Sequence, residues 1–310
     1  MTAAISTKTL YKKYGPRFVL ENLSLNVEKG SIYGFLGQNG AGKTTTIKLL
    51  SGLSTPTQGH VFVDGMDMSL ESGKIKQVLG LVPQDSCFYD ERTALSHMVY
   101  YGRLKGLSKK ESLEQSRVLL DQVGLGNEIF KKVGYFSHGM KTRLGIAQAL
   151  LSNPKILILD EPTNGLDPVG IRQIRQILLE CNNNGMTIFL SSHNLLEIQE
   201  ICTYVGILDK GKLIAENTIE KIRHFESNGV ITVGVYNLSP EIISLVESMK
   251  FVVKTEVKTE HTLEIFVNSK TDVKPEINRL IVESGGQVFK LIENSLSLED
   301  AFFNATEINL

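Results

Sequence analysis

The chain has 310 residues, a length that corresponds to about two domains. Its 33 basic and 34 acidic side chains leave a net charge of -1, and 42% of the residues are hydrophobic, which is an ordinary composition for a soluble globular protein. These values exclude a mainly disordered or collagen-like chain and a polybasic binder of nucleic acids or membrane surfaces. Anions can therefore be bound only at a local site.

No part of the sequence predicts a membrane-spanning helix. The longest stretches without a charged side chain, such as 181–196, contain polar residues, and none approaches the roughly 20 apolar residues that a span requires. The first residues have no apolar core behind a positive cluster, so we expect no signal peptide. Cys87, Cys181 and Cys202 are too widely spaced for a CxxC pair or a disulfide framework, and we expect free thiols in a reducing cytosol.

Up to about Phe225, short apolar runs alternate with amphipathic segments. In chain order, FVLENLSLNV, SIYGFLG, HVFVDG, LGLVPQ, KILILD and MTIFLSS are predicted strands. Helices are predicted for AGKTTTIKLLSGL, most of 93–124, 137–152, 169–181 and NLLEIQEIC. This alternation predicts an α/β fold with a parallel sheet, joined by an antiparallel β portion and by an inserted helical subdomain at about 90–152.

The remaining residues, 226–310, have a different pattern. VITVGVYN, FVVKTEVK, HTLEIFVN and QVFKLIEN are predicted strands, and SPEIISLVESM and PEINRLIVESGG are predicted helices. Their order, β-α-β-β-α-β, predicts a small ferredoxin-like α+β domain, followed by a terminal helix over 297–307. This segment holds 7 basic and 13 acidic side chains, which favours a solvated acidic face. The expected domains are therefore 1–225 and 226–310.

The sequence GQNGAGKTT, from Gly37 to Thr45, fits the P-loop pattern GxxxxGK[ST] and lies between a predicted strand and a helix. Its glycines allow a tight turn that directs backbone N–H groups at one point, where the helix N-terminus attracts phosphate. Lys43 supplies a mobile ammonium group, and the Thr44 hydroxyl can bind Mg²⁺. The predicted nucleotide-binding residues here are Gly37, Asn39, Gly40, Ala41, Gly42, Lys43, Thr44 and Thr45.

The apolar run KILILDEP predicts a buried strand that ends in two carboxylates, Asp160 and Glu161. Parallel sheets bind ligands at the carboxyl ends of their strands. Asp160 can hold Mg²⁺, as the aspartate of a Walker B motif does, and Glu161 can polarise an attacking water.

With these motifs in place, the chain resembles the ATP-binding subunit of an ABC transporter over about residues 5–222. Tyr14 in KKYG resembles the aromatic residue that stacks on adenine in this family, and Tyr11 is the alternative candidate for that role. Gln84 in LVPQ resembles the Q-loop glutamine, which reaches Mg²⁺ and the water, and the segment 164–167 resembles the D-loop. His193 in SSH resembles the switch histidine that senses the γ-phosphate.

The resemblance implies a head-to-tail sandwich of two such domains with two ATP molecules between them. The segment FSHGM falls where the family carries its signature sequence, and Ser137 and Gly139 are kept at the two positions with a clear role in phosphate binding. The family usually has glycine and glutamine where this chain has His138 and Met140. Whether His138 touches the nucleotide or packs on the helix end is open at this point. Because the chain has one copy of each motif, it must pair with another copy or a relative.

The divergent signature followed by KTRLGIA, and the size of the C-terminal extension, are similar to the ATPases of bacterial exporters of bacitracin and lantibiotics. We therefore expect an ATPase on the cytoplasmic face of the cell membrane that powers export of a peptide antibiotic or hydrophobic drug through a separate permease. A homodimer is expected, and nucleic acid is not an expected partner. An ABC ATPase acting on ribosomes or DNA and an importer ATPase are the alternatives. For the C-terminal domain, a regulatory or dimer-supporting role and a purely stabilising one are both open.

Overall fold

The structure, a computed structural model, describes residues 3–219, 228–269 and 271–294. The chain divides into two compact units, with the boundary between Asn217 and Thr218. Each unit has its own cluster of buried apolar side chains. The predicted terminal helix over 297–307 lies outside the described residues.

A mostly parallel sheet forms the centre of the first unit. Its strands are β4 (Ile32–Leu36), β7 (Leu79–Val82), β8 (Ile156–Asp160), β9 (Thr187–Ser192), β10 (Tyr204–Asp209) and β11 (Lys212–Thr218). They are arranged in the order β11-β10-β4-β9-β8-β7, and the pairs from β10 to β7 are parallel. β4, β8 and β9 are buried along their whole length, which explains why their sequences are continuous apolar runs rather than alternating ones.

A second, antiparallel sheet covers this core. Its strands are β1 (Ala3–Tyr14), β2 (Arg17–Leu23), β3 (Asn26–Glu28), β5 (Gln58–Val63) and β6 (Met66–Asp67). β1 pairs with β2, β3 and β5, and β5 pairs with β6. Helix α1 (Lys43–Leu50) contributes Ile47, Leu49 and Leu50 to the buried cluster that the two sheets share.

The sequence predicted FVLENLSLNV as one strand, and this is wrong. The chain breaks between β2 and β3, where the Thr7 hydroxyl donates to the Leu23 carbonyl oxygen at 2.9 Å and accepts from the Leu25 N–H at 3.1 Å. Asn22 has a left-handed φ of 53° just before the break. A buried hydroxyl of the neighbouring strand therefore satisfies the backbone groups that a continuous strand would have paired.

Helices complete the first unit. They are α2 (Met68–Val78), α3 (Ala94–Leu104), α4 (Lys109–Gln122), α5 (His138–Leu150), α6 (Pro168–Asn183) and α7 (Leu195–Ile201). α3, α4 and α5 pack on one another and form the predicted inserted helical block. The start of α4 is fixed by a capping box between Ser108 and Glu111.

The second unit has the predicted β-α-β-β-α-β order. Its elements are β12 (Asn228–Val235), α8 (Pro240–Glu247), β13 (Val252–Thr259), β14 (Thr262–Asn268), α9 (Lys274–Glu283) and β15 (Val288–Asn294). The antiparallel sheet has the order β13-β14-β12-β15, which is the ferredoxin-like topology. Ile231, Val233 and Val235 of β12 belong to the same buried cluster as Ile242 and Val246 of α8.

The structure also bears on the cysteines and on the prediction of membrane-spanning helices. Cys87 is exposed, Cys181 and Cys202 are buried, and all three are free thiols; burial raises the pKa of Cys181 to about 11. Within the described residues, none of the helices combines the length and apolar composition that a membrane crossing demands.

Candidate nucleotide site at the carboxyl edge of the parallel sheet

Four adjacent parallel strands bring the predicted motifs to one edge of the sheet. The P-loop follows β4, His193 follows β9, Asp160 and Glu161 stand at the end of β8, and Gln84 lies two residues beyond β7. Since these strands are neighbours in the order β4-β9-β8-β7, residues far apart in the sequence converge on one place. This edge is where open α/β sheets bind ligands.

The P-loop has the backbone conformation of an anion cradle. Gly40 and Gly42 adopt left-handed φ values of 84° and 114°, and a Cβ at Gly42 would lie 2.7 Å from Leu20 Cδ2. Glycine is therefore required at position 42 both for its φ and for space. No side chain caps the N-terminus of α1, which leaves its first N–H groups available to phosphate oxygens.

Lys43 is folded back into this loop. Its Nζ donates to the Gly37 carbonyl oxygen at 2.6 Å and to the Gln38 carbonyl oxygen at 3.2 Å, and it lies 3.1 Å from Glu161 Oε1. The Lys43 and Glu161 side chains are each only 6% exposed. A buried lysine and carboxylate must neutralise each other, because an unpaired charge at this depth would be strongly destabilising.

Glu161 is held from both sides. Its Oε2 lies 2.8 Å from Nδ1 of His193. Its Oε1 forms an ion pair with Lys43 at 3.1 Å but has no partner with hydrogen-bond geometry. The residue has a left-handed φ of 50°, a conformation that non-glycine residues adopt rarely and that is concentrated at functional sites. The backbone thus turns the carboxylate towards the P-loop at the point where the strand ends.

The sequence motifs did not indicate a role for Ser191. Its hydroxyl donates to Asp160 Oδ1 at 2.7 Å and accepts from the Glu161 N–H at 2.9 Å. Ser191 is fully buried and is the register partner of Asp160 between β9 and β8. The signal in the sequence was a pair of serines that ends an otherwise apolar strand just before His193.

The edge of the sheet carries two neighbouring cavities. The first, of about 400 Å³, is bounded by Val19, Asn39, Gly40, Gly42, Lys43, Thr44, Thr45, Gln84, Glu161, Asn164 and His193. The second, of about 280 Å³, shares Gln84, Glu161 and Asn164 with the first and is also lined by Asp160 and His138. Most of the predicted P-loop and catalytic residues therefore surround one space, with Asp160 at its border.

Five of the predicted binding residues do not line the P-loop cavity: Tyr14, Gly37, Ala41, Ser137 and Gly139. Tyr14 is 49% exposed, and the Lys12 Nζ lies 4.9 Å from the centre of its ring. Tyr11 packs edge-on against Phe18.

Ser137 is the N-cap of α5, because its hydroxyl accepts from the Met140 N–H at 3.3 Å. Gly37 and Ala41, the other two predicted P-loop residues, are buried behind the loop, and Ala41 supports it by accepting from the Gly211 N–H at 2.9 Å.

The chemistry of this donor set fits magnesium bound together with phosphate. Within the described ranges, no group of three or more His, Cys, Asp and Glu residues could cage a metal ion by itself. The available donors are the hydroxyl of Thr44, the amide oxygen of Gln84 and the carboxylate of Asp160. Mg²⁺ prefers such oxygen ligands and usually completes its shell with phosphates and water.

A P-loop on the β4–α1 turn, with acids at the end of β8 in the same parallel sheet, defines the class of the protein as a P-loop nucleotide-binding ATPase. Comparisons with known proteins narrow the class. Residues 20–164 match the family model described as "ABC transporter", and the chain belongs to the ABC transporter family, as one of its ATP-hydrolysing, ATP-binding subunits.

Two of the relatives that match nearly the whole chain come from species of Bacillus. The bacitracin transport ATP-binding protein BcrA of Bacillus licheniformis is 37% identical over 97% of each chain. The linearmycin resistance ATP-binding protein LnrL of Bacillus subtilis is 31% identical, with 97% of this chain and 98% of LnrL aligned. The likeness therefore includes the C-terminal unit.

Among solved structures, a dimeric ATP-binding cassette bound to ADP and Pi is 25% identical, with a TM-score of 0.63 over 69% of this chain and 98% of that one. ATPase subunits of this family generally form dimers and pair with a membrane permease.

Proposed function

We propose that two copies of this chain bind two ATP molecules between them, hydrolyse them with Mg²⁺, and power export of a peptide antibiotic or hydrophobic drug through a separate permease. The observation that carries the proposal is the cluster of Lys43, Glu161 and His193 around the P-loop cavity. It holds a buried carboxylate within reach of the place where a terminal phosphate would lie.

Each residue of the cluster has a distinct task in this mechanism. The P-loop N–H groups and Lys43 bind the phosphates, and Lys43 neutralises charge that develops during transfer. Glu161 accepts a hydrogen bond from the attacking water, while His193 holds the carboxylate and meets the γ-phosphate. Tyr14, which is 49% exposed, would stack on the adenine ring.

Thr44, Gln84 and Asp160 would hold Mg²⁺, which would offset the negative charge of the phosphates. Ser191 keeps the Asp160 carboxylate oriented by donating to one of its oxygens at 2.7 Å, so the other oxygen is available to the metal. Gln84 lines the cavity from the β7 side.

The position of the signature residues supports pairing of two copies. Ser137 and Gly139 do not line the P-loop cavity of their own chain, yet they stand at the N-terminus of the 13-residue helix α5, where anions bind favourably. In a two-fold arrangement these residues would serve the nucleotide held by the other copy. Because one chain contains both halves, a homodimer is sufficient.

We propose that the permease contacts three exposed aromatic side chains on segments that flank the helical block: Tyr89, Phe130 and Tyr135, which are 49%, 72% and 74% exposed. The segment that follows Tyr89 is hydrogen-bonded to the segment that precedes Tyr135. The Val133 N–H donates to the Arg92 carbonyl oxygen, and the Gly134 N–H donates to the Asp90 carbonyl oxygen. Exposed aromatic clusters mark protein interfaces. Replacing Phe130 and Tyr135 by Ala should release the chain from isolated membranes without loss of ATP binding.

The proposed substrate class rests on two relatives, BcrA, which is named for bacitracin transport, and LnrL, which is named for linearmycin resistance. The test is deletion of this chain in the strain that encodes it, complemented by the wild type or by Glu161→Gln. We expect lower resistance to bacitracin, to a lantibiotic or to linearmycin, restored by the wild type alone. Unchanged resistance to all three would contradict the proposed substrate class.

Two alternative functions are distinguished by a second measurement. An ATPase that acts on ribosomes or DNA would co-purify with those particles, and an importer ATPase would support uptake of a solute. We expect the chain in the detergent-solubilised membrane fraction, at the cytoplasmic face, together with a permease. Recovery with ribosomes would overturn the exporter assignment.

For the C-terminal unit we propose a regulatory or dimer-supporting role. Support comes from its separate buried core, in which residues such as Val233 and Ile281 are fully buried, and from its alignment with full-length relatives.

A further inference from the structure

The signature segment and the D-loop of the same chain are joined by a histidine side chain. Nε2 of His138, the first residue of α5, lies 3.0 Å from the backbone carbonyl oxygen of Asn164, although the two residues are 26 positions apart. A Cβ added to Gly165 would lie 3.6 Å from the same nitrogen, so the ring also packs on the backbone of the D-loop. The glycine found at this position in most of the family could make neither contact.

The carbonyl of Asn164 belongs to a peptide chain that leads straight to Glu161. The Asn164 N–H donates to the Glu161 carbonyl oxygen at 3.1 Å, and Glu161 itself has the left-handed φ of 50°. The Glu161 N–H is in turn bound to Ser191. Two hydrogen bonds therefore connect the N-terminus of α5 with the backbone that aims the Glu161 carboxylate.

A second contact ties the same two segments. A Cβ added to Gly139 would lie 3.6 Å from Leu166 Cδ2, so the Leu166 side chain of the D-loop lies close to the start of α5. A shift of α5 towards a nucleotide would therefore move the 164–166 segment, and with it the backbone of Glu161.

We propose that His138 is a positioning residue that couples the signature segment to Glu161 within one chain. This inference rests on the proposed function, in which Ser137 and Gly139 of one copy face the nucleotide of the other. Binding of that nucleotide orders α5, His138 holds Asn164, and the carboxylate of its own chain is set for hydrolysis. Each ATP thus favours turnover of the other through side chains that do not touch it.

The first test separates positioning from nucleotide contact in the purified homodimer. His138→Ala removes the donor, and His138→Gln replaces Nε2–H by an amide N–H at similar reach. We expect His138→Ala to lower kcat for ATP hydrolysis about tenfold, as loss of one well-placed hydrogen bond predicts, with KM for ATP unchanged. His138→Gln should restore most of kcat. The control is His60→Ala, which removes an exposed histidine bound to Asp67 and should leave both parameters unchanged.

The second test assigns the effect to one chain. In mixed dimers with one Glu161→Gln chain, a single site retains its carboxylate. We expect His138→Ala to reduce the rate of hydrolysis when it lies in the chain that keeps Glu161. It should have little effect in the other chain, although the signature segment of that chain faces the ATP that is hydrolysed. The reverse result would show direct contact with nucleotide and overturn the proposal, as would an unchanged kcat or a raised KM alone. Absence of ATP hydrolysis in the wild type would instead refute the proposed function.

Discussion

Nδ1 of His193 and Oε2 of Glu161 lie 2.8 Å apart, while the other carboxylate oxygen faces Lys43 Nζ at 3.1 Å. Glu161 is thus placed between a histidine donor and the P-loop lysine. The negative charge of Glu161 is paired with the Lys43 ammonium group, which in the proposed mechanism also binds phosphate. In the proposed mechanism, the same carboxylate positions the attacking water and also competes with the nucleotide for Lys43.

This competition gives a prediction for Glu161→Gln. Hydrolysis should fall by about 100-fold or more, because the water loses its acceptor, whereas ATP should bind at least as tightly as in the wild type, because Lys43 is released from its counter-charge. Phosphate release and equilibrium binding of a fluorescent ATP analogue measure the two effects. The matched control is Glu180→Gln, an exposed residue of α6 that is bound to Gln176. Undiminished hydrolysis in Glu161→Gln would refute the assigned mechanism.

A second prediction concerns Ser191, which links Asp160 to the backbone of Glu161. Ser191→Ala leaves a buried carboxylate oxygen and a buried N–H without their partner, and this should lower the free energy of unfolding by about 1–3 kcal/mol. We also expect a lower kcat and weaker binding of Mg²⁺, because the Asp160 carboxylate is no longer oriented. Urea titration and Mg²⁺-dependent hydrolysis provide the measurements. Ser72→Ala, at an exposed position of α2, serves as control, and equal stability of the two variants would contradict the linking role.

A third prediction concerns acid stability. Asp64 accepts hydrogen bonds from Lys29 at 2.6 Å and from Lys155 at 3.0 Å, and these contacts hold the pKa of its carboxyl below the ordinary value. The unfolded chain then binds more protons, so the stabilisation is full above about pH 5 and is lost as the pH falls below about 3.9. Asp64→Asn should therefore show a smaller fall in free energy of unfolding between about pH 5 and pH 3.

The comparison for this pH series is Glu114→Gln, at an exposed position of α4. Its urea midpoint should follow the pH dependence of the wild type. If Asp64→Asn did the same, the ion pairs of Asp64 would contribute nothing to acid stability.

How much of this site could be predicted depends on whether its parts are contiguous in the sequence. The P-loop residues and the carboxylates after KILILD stand at fixed offsets beside recognisable strands, so their convergence follows from parallel-sheet topology. Ser191 could not be found in this way, because its role depends on the register between β8 and β9, which pairs it with Asp160. The contact of His138 with Asn164 depends likewise on how α5 packs.

The fold shows the same division. The ferredoxin-like order was predicted because alternating strands and amphipathic helices have clear periods of 2 and 3.6. Helix α2 was missed, since its sequence is mostly polar, contains Gly73, and has a non-helical φ of -125° at Glu71. The break between β2 and β3 was missed because it is made by the side chain of Thr7 on another strand.

A fourth prediction concerns two glycines that share a left-handed backbone but differ in space. Gly65 has a φ of 82° and nothing within 4 Å of an added Cβ, whereas a Cβ at Gly42 would meet Leu20 Cδ2 at 2.7 Å and the Val19 carbonyl oxygen at 3.2 Å. Gly65→Ala should cost only the backbone strain, about 1–2 kcal/mol. Gly42→Ala should cost about 1–3 kcal/mol more, from overpacking, and should also weaken ATP binding. Thermal unfolding in the absence of nucleotide measures the difference in stability between the two variants. Equal losses in the two variants would show that the P-loop can move away from Leu20.

The last prediction tests the independence of the two units. Deletion of residues 226–310 removes a unit whose buried cluster is separate from that of the first unit, so residues 1–225 should fold and bind ATP with an affinity within about twofold of the full chain. Circular dichroism and ATP-analogue binding measure this, and an unfolded product would contradict it. The hydrolysis rate then separates the two roles left open for the C-terminal unit. If it regulates the enzyme or supports the dimer, the truncated chain should show a changed kcat or a weaker dimer by sedimentation at equal ATP occupancy. If it only stabilises the fold, the two chains should differ in melting temperature alone, because nothing in the nucleotide cavity has been altered.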